Sequence, residues 1–136
     1  MGLGSLLLVN NYYLYKNMMN KKLFGVSFAQ KKYDLALKYC QPAADQGDPE
    51  AQYYLGLMYE MGFGLKQDYF KAFEWRGKAA ENGNADAQCC LGGLYIKGHG
   101  VKQDLDNAIK WFEKAAEQGH AEATEFLADI NSMLNG

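Results

Sequence analysis

Apolar residues recur along the chain at spacings of three and four, and the whole pattern then repeats after about 36 residues. Sliding the sequence by that interval aligns residues 47–82 with residues 83–118 at close to half of the positions. Ala51-Gln52 falls on Ala87-Gln88, Leu55-Gly56 on Leu91-Gly92 and Tyr59 on Tyr95. Gly62 and Gly64 fall on Gly98 and Gly100, Lys66-Gln67-Asp68 on Lys102-Gln103-Asp104 and Ala72 on Ala108. Trp75 falls on Trp111, and Lys78-Ala79-Ala80-Glu81 on Lys114-Ala115-Ala116-Glu117. A period of this length is the mark of a repeat architecture, in which each unit buries its apolar face against its neighbours. Upstream, Ala36, Tyr39, Ala43-Ala44 and Gly47 supply half a unit. Downstream, Gly119, Ala121, Ala123 and Leu127 begin another.

Each unit predicts two helices. Asp48 is placed to cap the first, with Pro49 at its first position, where the missing N–H costs nothing. Asn84 and His120 stand at the same cap position in the later copies. Gly62 and Gly98 mark the helix ends, because a left-handed residue there costs about 1–2 kcal/mol for any residue with a side chain and almost nothing for glycine. Asp68 and Asp104 cap the second helices, which stop at Gly83 and Gly119. Small residues at Gly56, Gly92, Ala72, Ala108, Ala79-Ala80 and Ala115-Ala116 let backbones approach. The bulky partners Tyr59, Tyr95, Trp75 and Trp111 are read as core. Helices this short are marginal alone, so the units must stack.

The expected organisation is a half repeat over 31–46, full repeats over 47–82 and 83–118, and a terminal capping helix over 119–136. Residues 1–30 read as a leader, disordered or a degenerate first helix. The apolar run Leu3–Val9 is far below the ~20 residues of a spanning helix, and it lacks the preceding Lys or Arg of a secretory signal. Both a cytoplasmic and an exported location fit such a segment.

These residues resemble the Sel-1-like repeat, a relative of the tetratricopeptide repeat. The resemblance rests on Ala51, Leu55-Gly56, Tyr59, Gly62 and Gly64, then Asp68, Ala72, Trp75, Ala79-Ala80-Glu81 and Gly83. The second copy, Gly98-His99-Gly100-Val101 through Lys114–His120, is similar to the family pattern, and the likeness extends over about residues 31–134. It implies an all-α fold, a right-handed α/α superhelix of antiparallel helical hairpins, and an adaptor or scaffold role of the kind common among bacterial members. Cysteine-rich members pair cysteines between the two helices of one repeat. Here Ala79-Ala80 and Ala115-Ala116 stand where the second-helix cysteine would fall. Relatives described as β-lactam-hydrolysing suggest a small hydrolase as an alternative. However, none of Ser5, Ser27 and Ser132 is followed three residues later by Lys, so no S-x-x-K nucleophile is present.

Composition narrows the chemistry. With 14 Lys+Arg against 16 Asp+Glu and a formal charge of −2, the chain has no basic stripe for nucleic acid. Three cysteines, Cys40, Cys89 and Cys90, form no small-protein disulfide framework. His99 and His120 are the candidate bases, and neither lies beside a nucleophile in sequence. A Cys89/Cys90/His99 metal site would need ligands that converge, whereas adjacent helical residues point about 100° apart. Neither a cofactor motif nor a metal motif is present.

The remaining candidates lie on the concave face, which first helices line in such solenoids. With Leu55, Gly56 and Tyr59 facing inward, that face carries Glu50, Tyr53, Leu57, Glu60 and Met61. Its equivalents in the next unit are Asp86, Cys89, Gly93, Ile96 and Lys97. In the last helix they are Glu122, Glu125, Asp129 and Ser132, opposite an apolar stripe of Ala123, Leu127, Ile130 and Leu134. The expectation is an acidic groove with Tyr53 and Leu57 as anchors for a basic, apolar protein or peptide segment. Against it stands the ordinary role of carboxylates in solvating a helix face. Self-association through an open N-terminal edge at Leu23, Phe24, Val26 and Phe28 is a further reading.

Overall fold

The computed structural model describes residues 3–136, with side-chain packing from Lys16 onward. Among them are seven helices and no strands: α1 (Leu3–Ala29), α2 (Tyr33–Asp45), α3 (Pro49–Met61), α4 (Tyr69–Glu81), α5 (Ala85–Lys97), α6 (Leu105–Glu117) and α7 (Ala121–Asn135). Each helix packs chiefly on the ones before and after it, so the chain is a linear stack of hairpins. The segment read as a leader or degenerate first helix is helical from Leu3 to Ala29.

Caps fix the helix starts. Asp48 accepts from the Ala51 amide at 2.9 Å, Asn84 from Ala87 at 2.8 Å and the His120 Nδ1 from Ala123 at 3.2 Å. Asp68 accepts from Phe70 and Lys71, and Asp104 from Asn107. Hydrogen bonds to its carboxylate hold Asp104 below the usual aspartate range. Gly62 and Gly98 close α3 and α5 in the left-handed region, at φ 71° and 69°.

Close approach explains three other glycines. A Cβ on Gly56 would meet the Arg76 side chain, and one on Gly92 the Phe112 ring. At Gly100, φ is 74° and a Cβ would strike the Tyr69 carbonyl, so this turn is wedged against the start of α4. The interior is made mainly of small residues, with Ala36, Ala72, Ala79, Ala87, Ala108, Ala115 and Ala123 fully buried around Leu55, Met58, Leu91 and Phe112.

The tryptophans pack on the core from its rim. Trp75 and Trp111 are half-buried at the edge of this core, and Lys78 and Lys114 lie 4.3 and 4.5 Å over their rings. Because the interior is thin and lined with alanine, a full indole fits only at its rim, where the lysine stems shield it. Tyr59 and Tyr95 are likewise partly buried.

Two polar residues are buried that periodicity alone did not single out. Gln52 donates to the Ala44 carbonyl at 3.2 Å and accepts from Asn82 at 3.1 Å. Gln88 donates to Ala80 at 3.1 Å and accepts from Gln118 at 2.9 Å. Each thus ties the first helix of one unit to the second helices on both sides, with its hydrogen bonds satisfied.

A candidate partner-binding cleft

First helices α3, α5 and α7 stand side by side, and a cleft of about 560 Å³ opens across them. α3 contributes Tyr53, Leu57 and Glu60. α5 contributes Asp86, Cys89, Cys90, Gly93, Ile96 and Lys97, and α7 contributes Glu122, Phe126, Asp129, Ile130 and Met133 with His120 at its cap. Arg76 of α4 and Phe112 of α6 rise into its floor between these helices.

Of the residues expected on this face, Tyr53, Leu57, Glu60, Asp86, Cys89, Gly93, Ile96, Lys97, Glu122 and Asp129 line the cleft, and Glu50, Met61, Glu125 and Ser132 do not. Glu50 sits in the first turn of α3 on the side of α1, near Lys21, Phe24 and Tyr39. Glu125 is exposed on the outer side of α7 with Ser132. The inward set on that helix has the spacing Glu122, Phe126, Asp129, Met133. Leu134, placed by the sequence on the apolar stripe, is exposed, whereas Leu127 and Ile130 pack on the Phe112 cluster.

Electrostatics differ along the cleft. Arg76, only 4% exposed, forms an ion pair with Glu60 and lies 5.7 Å from the Tyr53 ring centre. His120 joins Asp86 at 2.9 Å. Since its Nδ1 accepts from the Ala123 amide, its Nε2 carries the proton and donates to Asp86, so the cap selects the tautomer. Glu60 and Asp86 are thereby engaged. Glu122 and Asp129 have no ion-pair partner among the described residues, and Lys97 of α5 also lines the cleft. The acidity of the cleft is therefore concentrated along α7.

The thiols are poorly suited to nucleophilic chemistry. Burial pushes Cys89 up to about 12, with the neighbouring Cys90 and carboxylates adding to it. Cys90 is raised by burial too, against the opposing pull of Arg76 and Tyr53. Burial also raises the Tyr53 hydroxyl. Cys40, in α2, is buried, donates to the Ala51 carbonyl at 3.1 Å and is pushed up to about 12. All three cysteines are free. His99 is half-buried against Tyr69, with ring centres 4.5 Å apart. It is remote from Cys89, and among the described residues no group of three His, Cys, Asp or Glu is placed to hold a metal.

Sequence reasoning missed Arg76, Cys90, Phe112, Phe126, Ile130 and Met133 as cleft residues. Arg76 carried a signal, since it stands in the repeat register of Phe112 and breaks an otherwise apolar position. Phe126 and Met133 follow Glu122 and Asp129 by one helical turn each, and that spacing was also available.

Comparison with known proteins agrees with the repeat. The profile described as Sel1 repeat matches residues 23–48, 49–84 and 85–120. Its first unit begins within α1, where Phe24 and Phe28 pack on Tyr54 as a first helix should. No curated protein matches the chain. Among solved structures, a Sel1 repeat protein from Oxalobacter formigenes is 36% identical, with a TM-score of 0.76 over 79% of this chain and 44% of that one. A protective antigen of uropathogenic Escherichia coli displaying an SLR fold is 42% identical, with a TM-score of 0.70 over 71% of this chain and 21% of its own. The cysteine-rich protein B of Helicobacter pylori is 26% identical, with a TM-score of 0.69 over 90% of this chain and 95% of that one. The chain thus spans less than half the length of the first two. With three matched units covering well over half of its residues, the chain belongs to the Sel1 repeat family.

Proposed function

We propose that the chain is a non-enzymatic adaptor that holds a protein or peptide segment in the cleft across α3, α5 and α7. Sel1 repeat proteins generally serve as protein-interaction scaffolds. The observation that carries the more specific reading is the pairing pattern inside the cleft. Glu60 is paired with Arg76 and Asp86 accepts a hydrogen bond from His120, whereas Glu122 and Asp129, beside Phe126 and Met133, have no ion-pair partner among the described residues. A segment that fits presents Lys or Arg toward α7 and apolar side chains toward Leu57, Ile96 and Phe126. Desolvated aromatic and aliphatic anchors would supply most of the affinity, and the charges orientation and encounter rate. The raised thiol pKa values argue against a hydrolase that uses Cys89 or Cys90.

The test is capture from a cell lysate by wild type beside a Tyr53→Ala, Leu57→Ala variant of matched stability. A protein retained by the first and lost by the second is the expected outcome. Retention of the same proteins by both contradicts the assignment of this face.

A further inference from the structure

Two buried side-chain nitrogens have no hydrogen-bond partner among the described residues: Nδ1 of His99, in the connection after α5, and Nε of Arg76, in the floor of the cleft. Buried N–H groups are almost always satisfied in folded proteins, so an orphan in a cleft floor calls for an explanation. Packing alone does not supply one. The same place in the next repeat holds Phe112, which fills it without a polar atom, whereas Arg76 brings a guanidinium of whose donors Nη1 is engaged by Glu60.

The pair of Arg76 and Glu60 is balanced in charge but two-sided in chemistry. Arg76 is 4% exposed and the Glu60 side chain 19%, and both line the cleft beside the uncharged Tyr53, Cys90 and Gly93. An incoming carboxylate meets the Glu60 carboxylate, and an incoming ammonium meets the Arg76 guanidinium, so neither is favoured. What the pair offers is a donor, the free Arg76 N–H, next to an acceptor, the Glu60 carboxylate, whose lone pairs exceed the one that Nη1 uses. A trans peptide points its C=O and N–H to opposite sides and cannot engage both. A primary carboxamide carries a C=O and an N–H on one edge and can.

We propose that Arg76 and Glu60 together read a side-chain carboxamide, so that the segment held in the cleft places an Asn or Gln there, its oxygen accepting from Arg76 and its amide nitrogen donating to Glu60. The proposal rests on the peptide-binding reading of the cleft. It adds a neutral polar requirement near α3 and α4 to the Lys or Arg expected beside Glu122 and Asp129 on α7. A site built to hydrogen-bond a group rejects analogues that lack it, because its own buried groups are then left unpaired.

Displayed random peptides selected on the immobilised full chain supply the probe. Selected sequences are expected to carry Asn or Gln at a fixed offset from Lys or Arg. In resynthesised peptides, replacing that residue by Leu or by Glu is expected to weaken binding at least about tenfold. The Glu60→Ile, Arg76→Phe variant copies Ile96 and Phe112 of the next repeat, and its folding is checked by its urea midpoint. In it the order reverses, with the Leu peptide bound more tightly than the Asn or Gln peptide. Peptides that bind wild type, lose binding in the Tyr53→Ala, Leu57→Ala variant and show no carboxamide preference overturn the proposal and leave the cleft reading standing. Tighter binding of the Glu peptide overturns it as well, and the absence of any selected peptide removes both readings.

Discussion

Arg76 occupies, in one repeat, the place that Phe112 occupies in the next. Each lies against the small residue of the facing helix, Gly56 or Gly92, and each abuts the equivalent of the other's neighbour, Glu60 or Ile96. The fold thus solves the same packing problem once with an ion pair and once with an aromatic ring. Removing one member of a buried pair strands a charge, whereas replacing both by packed apolar groups is often neutral or better. Glu60→Ala is expected to lower stability by about 3 kcal/mol. The double change Glu60→Ile, Arg76→Phe, which copies the next repeat, is expected to be near neutral or stabilising. Urea unfolding midpoints measure both. Equal losses in the single and double variants would show that the pair is not what holds this site.

Glycine substitutions separate conformation from contact. Gly100→Ala demands a left-handed alanine whose Cβ meets the Tyr69 carbonyl, and it is expected to cost more than about 2 kcal/mol. Gly77→Ala, in the middle of α4 with nothing within 4 Å of its Cβ, is expected to stabilise by about 0.5–1 kcal/mol. Thermal unfolding of the two variants should therefore move in opposite directions.

Gln88 bridges α4, α5 and the end of α6. Gln88→Leu retains the bulk but leaves partners without their bonds, so a loss of about 1–3 kcal/mol is expected. Amide exchange in the turn around Gly119 should accelerate with it. Unchanged stability would mean that solvent satisfies these groups equally well.

The buried thiols set an alkaline limit. In the unfolded chain Cys40 and Cys89 lose their protons near their ordinary value of 9.0, whereas the native state keeps them until about 12. The native state therefore binds more protons in that window, and stability falls as pH rises through it. Lys21 acts in the same direction. Its hydrogen bond to Asp48 raises it above 10.5, so its contribution is present below that value and is lost as pH rises. Unfolding midpoints should decline as pH rises from 9.0 toward about 12, with a shallower slope in Cys89→Ala. Alkylation of Cys40 and Cys89 should require denaturant, and rapid labelling of either in the native protein would contradict their burial.

Glycines, caps and alanines made the stacking legible in the sequence, because turn geometry and close helix approach leave few residue choices. Asp48, Asn84 and His120 announced their roles by position alone. Repeat register also placed Tyr53, Leu57, Asp86 and Ile96 on a common face. It did not reveal the pairing of Glu60 with Arg76 or of Asp86 with His120, because each joins side chains far apart in sequence, 16 and 34 residues respectively. The inward face of α7 was read one position off, with Glu125 and Ser132 in place of Phe126 and Met133. Carboxylates had been taken to mark the groove, while the helical spacing from Glu122 pointed to an aromatic. The indoles of Trp75 and Trp111, read as core because they recur in register, do pack on the core, at the edge where an interior lined with alanine leaves room for them.

Selection of displayed random peptides on the immobilised chain tests the central claim most directly. The account predicts enrichment of sequences that combine Lys or Arg with apolar residues, binding that weakens with salt, and loss of that binding in the Tyr53→Ala, Leu57→Ala variant of matched stability. Enrichment of nothing, or of peptides that bind the variant equally well, would contradict the cleft across α3, α5 and α7 as the partner site.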